Sequence, residues 1–252
     1  MLKIRIIPSL LFNGTNLVKG KNFNSWRTVG SVFQSIKLFS LRSVDELIFL
    51  DISAYKNKII NFKLIDDFAD ECFMPLTVGG GIRTIDDIKE ILRNGADKVS
   101  INSAAIYDYK FIKESIKYFG SQCIIVSIDY KKNSKGEKKL FINSEKKLSE
   151  INLFEYVQKI SQLEPGEILL NSVDHDGMMS GYDIDTIKKT SRTTKIPIIA
   201  SGGAGSKEDI YKVIKDTGVT AITASSIFYF TEITPLAIKK YLSDKGLNTR
   251  IN

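Results

Sequence analysis

Two stretches of this chain repeat one plan, and that duplication restricts the available folds more than any other feature. Residues 198–226, IIASGGAGSKEDIYKVIKDTGVTAITASS, run from a short apolar segment through Ser201-Gly202-Gly203-Ala204-Gly205 into a helical pattern, then into a second apolar segment. Ser206 takes the N-cap position, with Asp209 three residues on and Ile210, Val213 and Ile214 at helical spacing. Residues 76–104, LTVGGGIRTIDDIKEILRNGADKVSINSA, follow the same course. Gly80-Gly81 map onto Gly202-Gly203 at an offset of 122 (202 − 80), and the same offset takes Ser103 to Ser225. The echo extends to Glu46-Leu47-Ile48 against Glu167-Ile168-Leu169, and to IIPSLL at 6–11 against IIVSID at 124–129. The chain reads as two fused halves, approximately residues 1–120 and 121–252.

The duplication also carries chemistry. Glycine turns let backbone N–H groups approach an anion closely, and an adjoining helix N-terminus favours negative charge. One such turn is common in α/β proteins that bind nothing there. Matched turns in two halves that face the same way are different: they form two phosphate cups, and a ligand with a phosphate at each end fits them.

Apolar runs that end in glycine or polar turns give eight strands, at 3–10, 46–51, 74–78, 98–101, 123–129, 167–172, 196–201 and 220–223. Amphipathic segments fall between them at 32–40, 61–71, 86–94, 109–118, 153–162, 184–193, 207–216 and 235–245. Eightfold strand–helix alternation in 252 residues predicts an α/β fold, a closed (β/α)8 TIM barrel forming one domain over 1–252. A doubly wound open sheet is the alternative, but it seldom carries a two-fold duplication.

The functional face of such a barrel lies at the C-terminal strand ends. That rule selects Leu11, Lys19, Asp51, Gly81, Asn102, Ser103, Asp129, Asn171, Asp176, Gly177, Ser201, Gly203, Ala224 and Ser225. Arg5, Glu46, Lys98 and Glu167 sit at the strand starts, and their spacing alone favours a stabilising ion-pair ring across the opposite mouth. Two long connections read as lids. Residues 12–27 are expected to be a polar loop, and 130–150 a basic segment with a small hairpin about Lys135-Gly136.

Composition excludes several classes. No apolar run approaches the ~20 residues of a membrane span, and no signal-peptide pattern opens the chain, so a cytoplasmic protein is expected. Cys72 and Cys123 are too few for a disulfide framework or zinc site, and nothing suggests a metal or organic cofactor. The net charge of +7 is spread over many helices rather than gathered in a stripe, which argues against nucleic acid. The lone His175, in an Asp174-His175-Asp176-Gly177 context, is expected to be exposed and not part of a catalytic triad.

Longer motifs narrow the reading: RII near the start, LVKG at 17–20, DELIFLDI at 45–52, LTVGGGI at 76–82, GADKVSIN at 95–102, FGSQ at 119–122, GEILL at 166–170, DGMMSGYD at 176–183 and PIIASGGAG at 197–205. With these, nearly end to end and in order, the chain resembles the cyclase subunit of imidazole glycerol phosphate synthase. The resemblance implies a barrel that takes ammonia from a glutaminase subunit (a class I glutamine amidotransferase, in a one-to-one heterodimer) docked at its bottom face. The ammonia would react with a ribulosyl aminoimidazole nucleotide bearing two phosphates. Arg5, Glu46, Lys98 and Glu167 match the family's ammonia gate, in place of a merely structural ring, and Asp97 falls on the docking surface. Gly81, Asn102 and Ser103 match one phosphate site; Asp176, Gly177, Gly203, Ala224 and Ser225 match the other. Lys19 matches the lid lysine and Asp129 a catalytic aspartate.

Two positions depart. The family pairs Asp129 with an aspartate after the first strand, where this chain has Leu11, and Asn171 stands where the family usually has threonine. Leucine cannot exchange a proton, whereas general acid–base catalysis is commonly worth 10²–10⁴-fold. The chain shares this loss with a divergent branch linked to bacterial surface-polysaccharide genes. There, barrel and glutaminase serve a third enzyme that converts an acetamido group on a sugar to acetamidino. The expectation is a member of that branch. The alternatives are a genuine histidine-pathway cyclase that uses Asp129 with Asp51 or Asp176, a catalytically inactive scaffold that activates a glutaminase, and, ranked below these, the related two-fold barrel isomerase of histidine synthesis.

Overall fold

In β1 (Arg5–Phe12), the period of two divides the side chains between two apolar layers. Ile6, Leu10 and Phe12 join the large core outside the sheet, while Ile7 joins a small inner cluster with Ile48, Ile125, Leu169, Ile199 and Ala221. Two layers of this kind fit a parallel sheet covered on both faces, here with a small inner layer and helices outside. The computed structural model describes residues 3–42, 44–57 and 59–251 and has that form.

After β1 the elements are β2 (Leu17–Lys21), β3 (Asn24–Gly30), α1 (Val32–Leu41), β4 (Leu47–Asp51), α2 (Ala54–Asn57), α3 (Phe62–Ala69), β5 (Leu76–Gly79), α4 (Ile85–Arg93), β6 (Lys98–Ile101), α5 (Ser103–Tyr107) and α6 (Tyr109–Phe119). The second half continues with β7 (Ile124–Lys132), β8 (Lys138–Ile142), β9 (Lys147–Asn152), α7 (Leu153–Ser161), β10 (Glu167–Ser172), α8 (Ile184–Thr193), β11 (Ile198–Ser201), α9 (Lys207–Thr217), β12 (Ala221–Ala224), α10 (Ser226–Phe230) and α11 (Pro235–Asp244). The eight parallel strands β1, β4, β5, β6, β7, β10, β11 and β12 form the barrel, closed where β12 pairs with β1 and β7 with β10. All eight coincide with the expected strands: those at 98–101 and 167–172 have the expected bounds, and the other ends shift by at most three residues.

The two-fold repeat is visible in local geometry. Thr84 with Asp87, and Ser206 with Asp209, form reciprocal capping boxes at the starts of α4 and α9, 122 residues apart. Gly80 and Gly202 both have positive φ, +112° and +90°, where the turn crosses the end of the preceding strand. A Cβ there would lie 2.1 Å from Asp51 O and 2.7 Å from Ser172 O. Each half also extends its first barrel strand into antiparallel structure, β2–β3 after β1 and β8–β9 after β7.

The first of these extensions corrects the sequence reading. Residues 12–27 form a hairpin rather than a polar loop, with β2 buried beneath an exposed β3. The β7–β8 turn does fall at Lys135-Gly136, as expected, and β9 adds a further strand. The four- and five-residue helices α2, α5 and α10 had no counterpart in the helical periodicity. No helix among the described residues is long and apolar enough to cross a membrane.

Candidate active site

The lumen changes character along its axis. At the N-terminal strand ends, Arg5 bonds Glu46 (2.7 Å) and Glu167, and Lys98 bonds Glu46 (3.2 Å) and Glu167 (2.8 Å). Each acid therefore bridges both bases, in a closed cycle of four charges. Burial pushes the Glu167 carboxyl up, but its contacts with Arg5 and Lys98 outweigh this and hold it below the usual range. Above the cycle lies the inner apolar layer, and above that a cavity of about 770 Å³ opens at the C-terminal strand ends.

Strand register brings the key groups together. Asn171 in β10 is paired with Asp129 in β7 on one side and Ser201 in β11 on the other, so three consecutive strands present these side chains in one row. Asn171 Nδ2 donates to Asp129 Oδ1 at 3.0 Å, and Asn102 Nδ2 donates to Asp129 Oδ2 at 3.1 Å and to Ser127 O at 3.0 Å. Burial pushes the Asp129 carboxyl up to about 7; Asp176 adds to the rise, while the two amide donors oppose it. Lys19, delivered by β2, is 5% exposed and lines the same cavity. Burial lowers its ammonium to about 8, and the nearby Asp176 partly restores it. Burial likewise raises the Asp176 carboxyl, against the pull of Lys19.

Leu11 enters the cavity from the far side and is buried. The nearby strand-end carboxylate of Asp51 is turned to its own loop: Oδ1 accepts from Ser53 N (2.8 Å), Ser53 Oγ (2.6 Å) and Ala54 N (3.1 Å) at the start of α2. Gly81, Asn102, Ser103, Asp176 and Ser201 also line the cavity. Gly177, Gly203, Ala224 and Ser225 lie outside its lining. Gly177 is covered by the β2–β3 hairpin, where a Cβ would fall 1.9 Å from Gly20 O, and Ser225 Oγ donates to Ser9 O. At the opposite end of the barrel, exposed Asp97 accepts a hydrogen bond from Leu76 N at 2.8 Å.

Two flaps roof the cavity. At the β2–β3 tip, Asn22 N donates to Asp176 O (2.9 Å), and Asn22 Nδ2 to Val173 O (3.1 Å) and Asp174 O (2.8 Å). The neighbouring Phe23 ring packs edge-on against Phe141 of β8 at 5.9 Å, joining the two flaps. On the other side, the β8–β9 turn reaches α5 through Ser144 to Ser103 and Glu145 to Tyr107. Phe23, Trp26, Tyr55, Arg83, Tyr107 and Lys146 complete the mouth. None of these six was marked by a motif; only their position after strand ends could have indicated them.

His175 differs from expectation. It is half-buried, its Nδ1 lies 2.8 Å from Ser172 Oγ, and it lines a separate cavity of about 550 Å³ with Lys132, Lys138, Asp174 and Asp183. Ser172 at the end of β10 draws the ring inward. Among the described residues, no three His, Cys, Asp or Glu side chains gather into a metal-ligating group.

The chain matches the family model described as histidine biosynthesis protein over residues 5–234. It is 42% identical to the imidazole glycerol phosphate synthase subunit HisF of Natranaerobius thermophilus over 252 residues, all of both chains. It is 42% identical to the subunit of that name from Clostridium botulinum over 249 residues, 98% of each chain, and 41% identical to that of Dictyoglomus thermophilum over 253 residues, all of each. Full-length similarity at this level, on a barrel whose polar mouth and charged base have just been described, leads to one assignment: the chain belongs to the histidine biosynthesis protein family.

Proposed function

We propose that this chain is the cyclase-type barrel subunit of a complex of the imidazole glycerol phosphate synthase kind. Ammonia from a glutaminase enters through the Arg5–Glu46–Lys98–Glu167 cycle, crosses the apolar layer and reaches a bis-phosphorylated aminoimidazole ligand beside Asp129. The axial order of the lumen carries this reading: a charge cycle, then six apolar side chains, then a 770 Å³ cavity with an acid that titrates near neutrality. Gly81, Asn102 and Ser103 hold one phosphate. Asp176, Gly177, Gly203, Ala224 and Ser225 hold the other once the β2–β3 flap lifts from Gly177. Lys19 closes over the ligand with that flap, and Asp97 lies on the glutaminase-facing end.

In this arrangement Asp129 moves the proton. Burial sets its carboxyl near 7, so both protonation states are populated at neutral pH, the condition that general acid–base work needs. The test is association with a class I glutaminase subunit from the same organism. A one-to-one complex whose glutamine hydrolysis rises about tenfold with the bis-phosphorylated nucleotide supports the reading. Failure to associate at micromolar concentrations overturns it.

Leu11 favours a second, finer reading. With one acid/base partner replaced by leucine, the barrel serves as an ammonia source in an acetamido-to-acetamidino sugar modification, with a third sugar-modifying enzyme as acceptor. A genuine cyclase acting through Asp129 alone would turn over the nucleotide with free ammonium, and an inactive glutaminase-activating scaffold would not.

A further inference from the structure

Four aromatic side chains line the mouth of the cavity: Phe23, Trp26, Tyr55 and Tyr107. The protein itself engages three of them. Phe23 packs edge-on against Phe141, Tyr55 lies beneath the Arg83 guanidinium at 5.1 Å, and the Tyr107 hydroxyl bonds Glu145. The side chain of Trp26, the one tryptophan of the chain, has no ring, cation or hydrogen-bond partner among the described residues, and the residue is 39% exposed. Its place is nevertheless built. The β2–β3 register shifts between Lys19 and Lys21, and Ser25 takes φ +54°. There the indole is seated on the backbone of Gly20, where a Cβ would fall 2.9 Å from Trp26 Cε3 and 2.3 Å from Asn24 O. Glycine permits this close approach.

The strand order around the barrel sets what passes the hairpin. Gly81 and Ser103 follow β5 and β6, and Gly203 and Ser225 follow β11 and β12, so the two cups face each other across the ring. The hairpin starts from β1, and Asn22 at its tip bonds residues 173, 174 and 176, after β10. In the ring order β1, β4, β5, β6, β7, β10, β11, β12, a line from β1 to β10 separates one cup from the other. A ligand with a phosphate in each cup therefore crosses the hairpin between its two ends.

We propose that Trp26 is the stacking platform for the planar heterocycle in the middle of that ligand. The inference rests on the reading of a bis-phosphorylated aminoimidazole ligand and names the side chain that meets its ring. An open indole surface stacks on any flat heterocycle, whereas sugar and phosphate alone gain little from it. Trp26 thus selects for a ring between the phosphates. It rides on the same hairpin as Lys19, so stacking also draws the flap down over the ligand.

The experiment reads the fluorescence of Trp26 in the full chain, which holds no other tryptophan. The probes are the ribulosyl aminoimidazole nucleotide, without ammonia, and ribulose 1,5-bisphosphate, which has two phosphates and no heterocycle. Calorimetry gives each Kd independently of the indole. The nucleotide is expected to quench Trp26 saturably, with a midpoint at the calorimetric Kd, and the bisphosphate is not. Trp26→Leu should weaken calorimetric binding of the nucleotide about tenfold or more, and Trp26→Phe should recover most of that loss. Binding without quenching in the unaltered chain would overturn the proposal, even if the variants do not fold. So would a folded Trp26→Leu that binds within about twofold of the parent; in both cases the reading of the ligand stands. Absence of calorimetric binding by the nucleotide would overturn that reading and the proposal together.

Discussion

Leu11 and Asp129 face the same cavity from opposite sides of the barrel, on β1 and β7, which lie four strands apart in either direction around the ring. One offers a buried hydrocarbon, and the other a carboxyl held by two amides and raised to about 7 by burial. Of the two, only the β7 side therefore offers a titrating group, and Lys19 lines the same cavity.

The proposed roles of Asp129 and Lys19 predict the pH range of turnover. A reaction that needs the Asp129 carboxylate gains activity as pH rises through about 7, and one that needs the Lys19 ammonium loses it above about 8. The expected kcat/KM profile is a narrow bell between these limits. Lys19→Met should remove the alkaline limb and leave the acidic one, which a pH series on both proteins checks.

The Asp129 carboxyl should also make the fold less stable as pH rises. Its folded value of about 7 lies above the ordinary value for aspartate, so its contribution is fully present below about 4 and is lost by about 7. Urea unfolding at pH 5 and pH 7 should show the unaltered chain losing about 2 kcal/mol relative to Asp129→Asn over that interval. A constant difference would show that the carboxyl is not raised.

At the base of the barrel, the charge cycle predicts the opposite sign. Glu167→Gln leaves Arg5 and Lys98 to share Glu46, at a cost of about 2 kcal/mol for a partly buried group at pH 7. The Glu167 carboxyl is held below its usual range, so its stabilisation is present above about 4 and is lost as pH falls further. The stability gap between the two proteins should therefore narrow at pH 3.5.

Gly177 controls the β2–β3 flap. It has φ +71°, and a Cβ there would strike Gly20 O. Gly177→Ala should lift the hairpin and expose the buried Lys19 to trypsin, with cleavage after Lys19 at least about tenfold faster than in the parent, where it is 5% exposed. Equal cleavage rates would show that the flap does not rest on Gly177.

The sequence made the barrel legible because its signals are redundant. Period-two strands, paired glycine turns at Gly80 and Gly202, and two capping boxes at the same offset all indicate the same repeat. The β2–β3 hairpin was hidden because Asn22, Phe23 and Ser25 take positive φ without a glycine in the turn. Helices of four or five residues, such as α2 and α5, are too short to show a period. Candidate site residues at strand ends could be named, and the half-repeat exposed Leu11. The Asn171 clamp on Asp129 could not be anticipated, because it depends on the β7–β10 register that closes the barrel. The inward turn of His175 likewise depends on Ser172 at the end of β10.

The most direct test of the account is turnover by the purified barrel with the ribulosyl aminoimidazole nucleotide and excess ammonium at alkaline pH, alongside Leu11→Asp. Free ammonium removes the need for a glutaminase, so the assay isolates the chemistry at the cavity. The account predicts turnover at least about 10²-fold lower in the unaltered chain than in Leu11→Asp, because the variant restores the missing acid/base partner opposite Asp129. Full turnover by the unaltered chain, abolished by Asp129→Asn, would contradict the finer reading and make this a cyclase that works with a single aspartate.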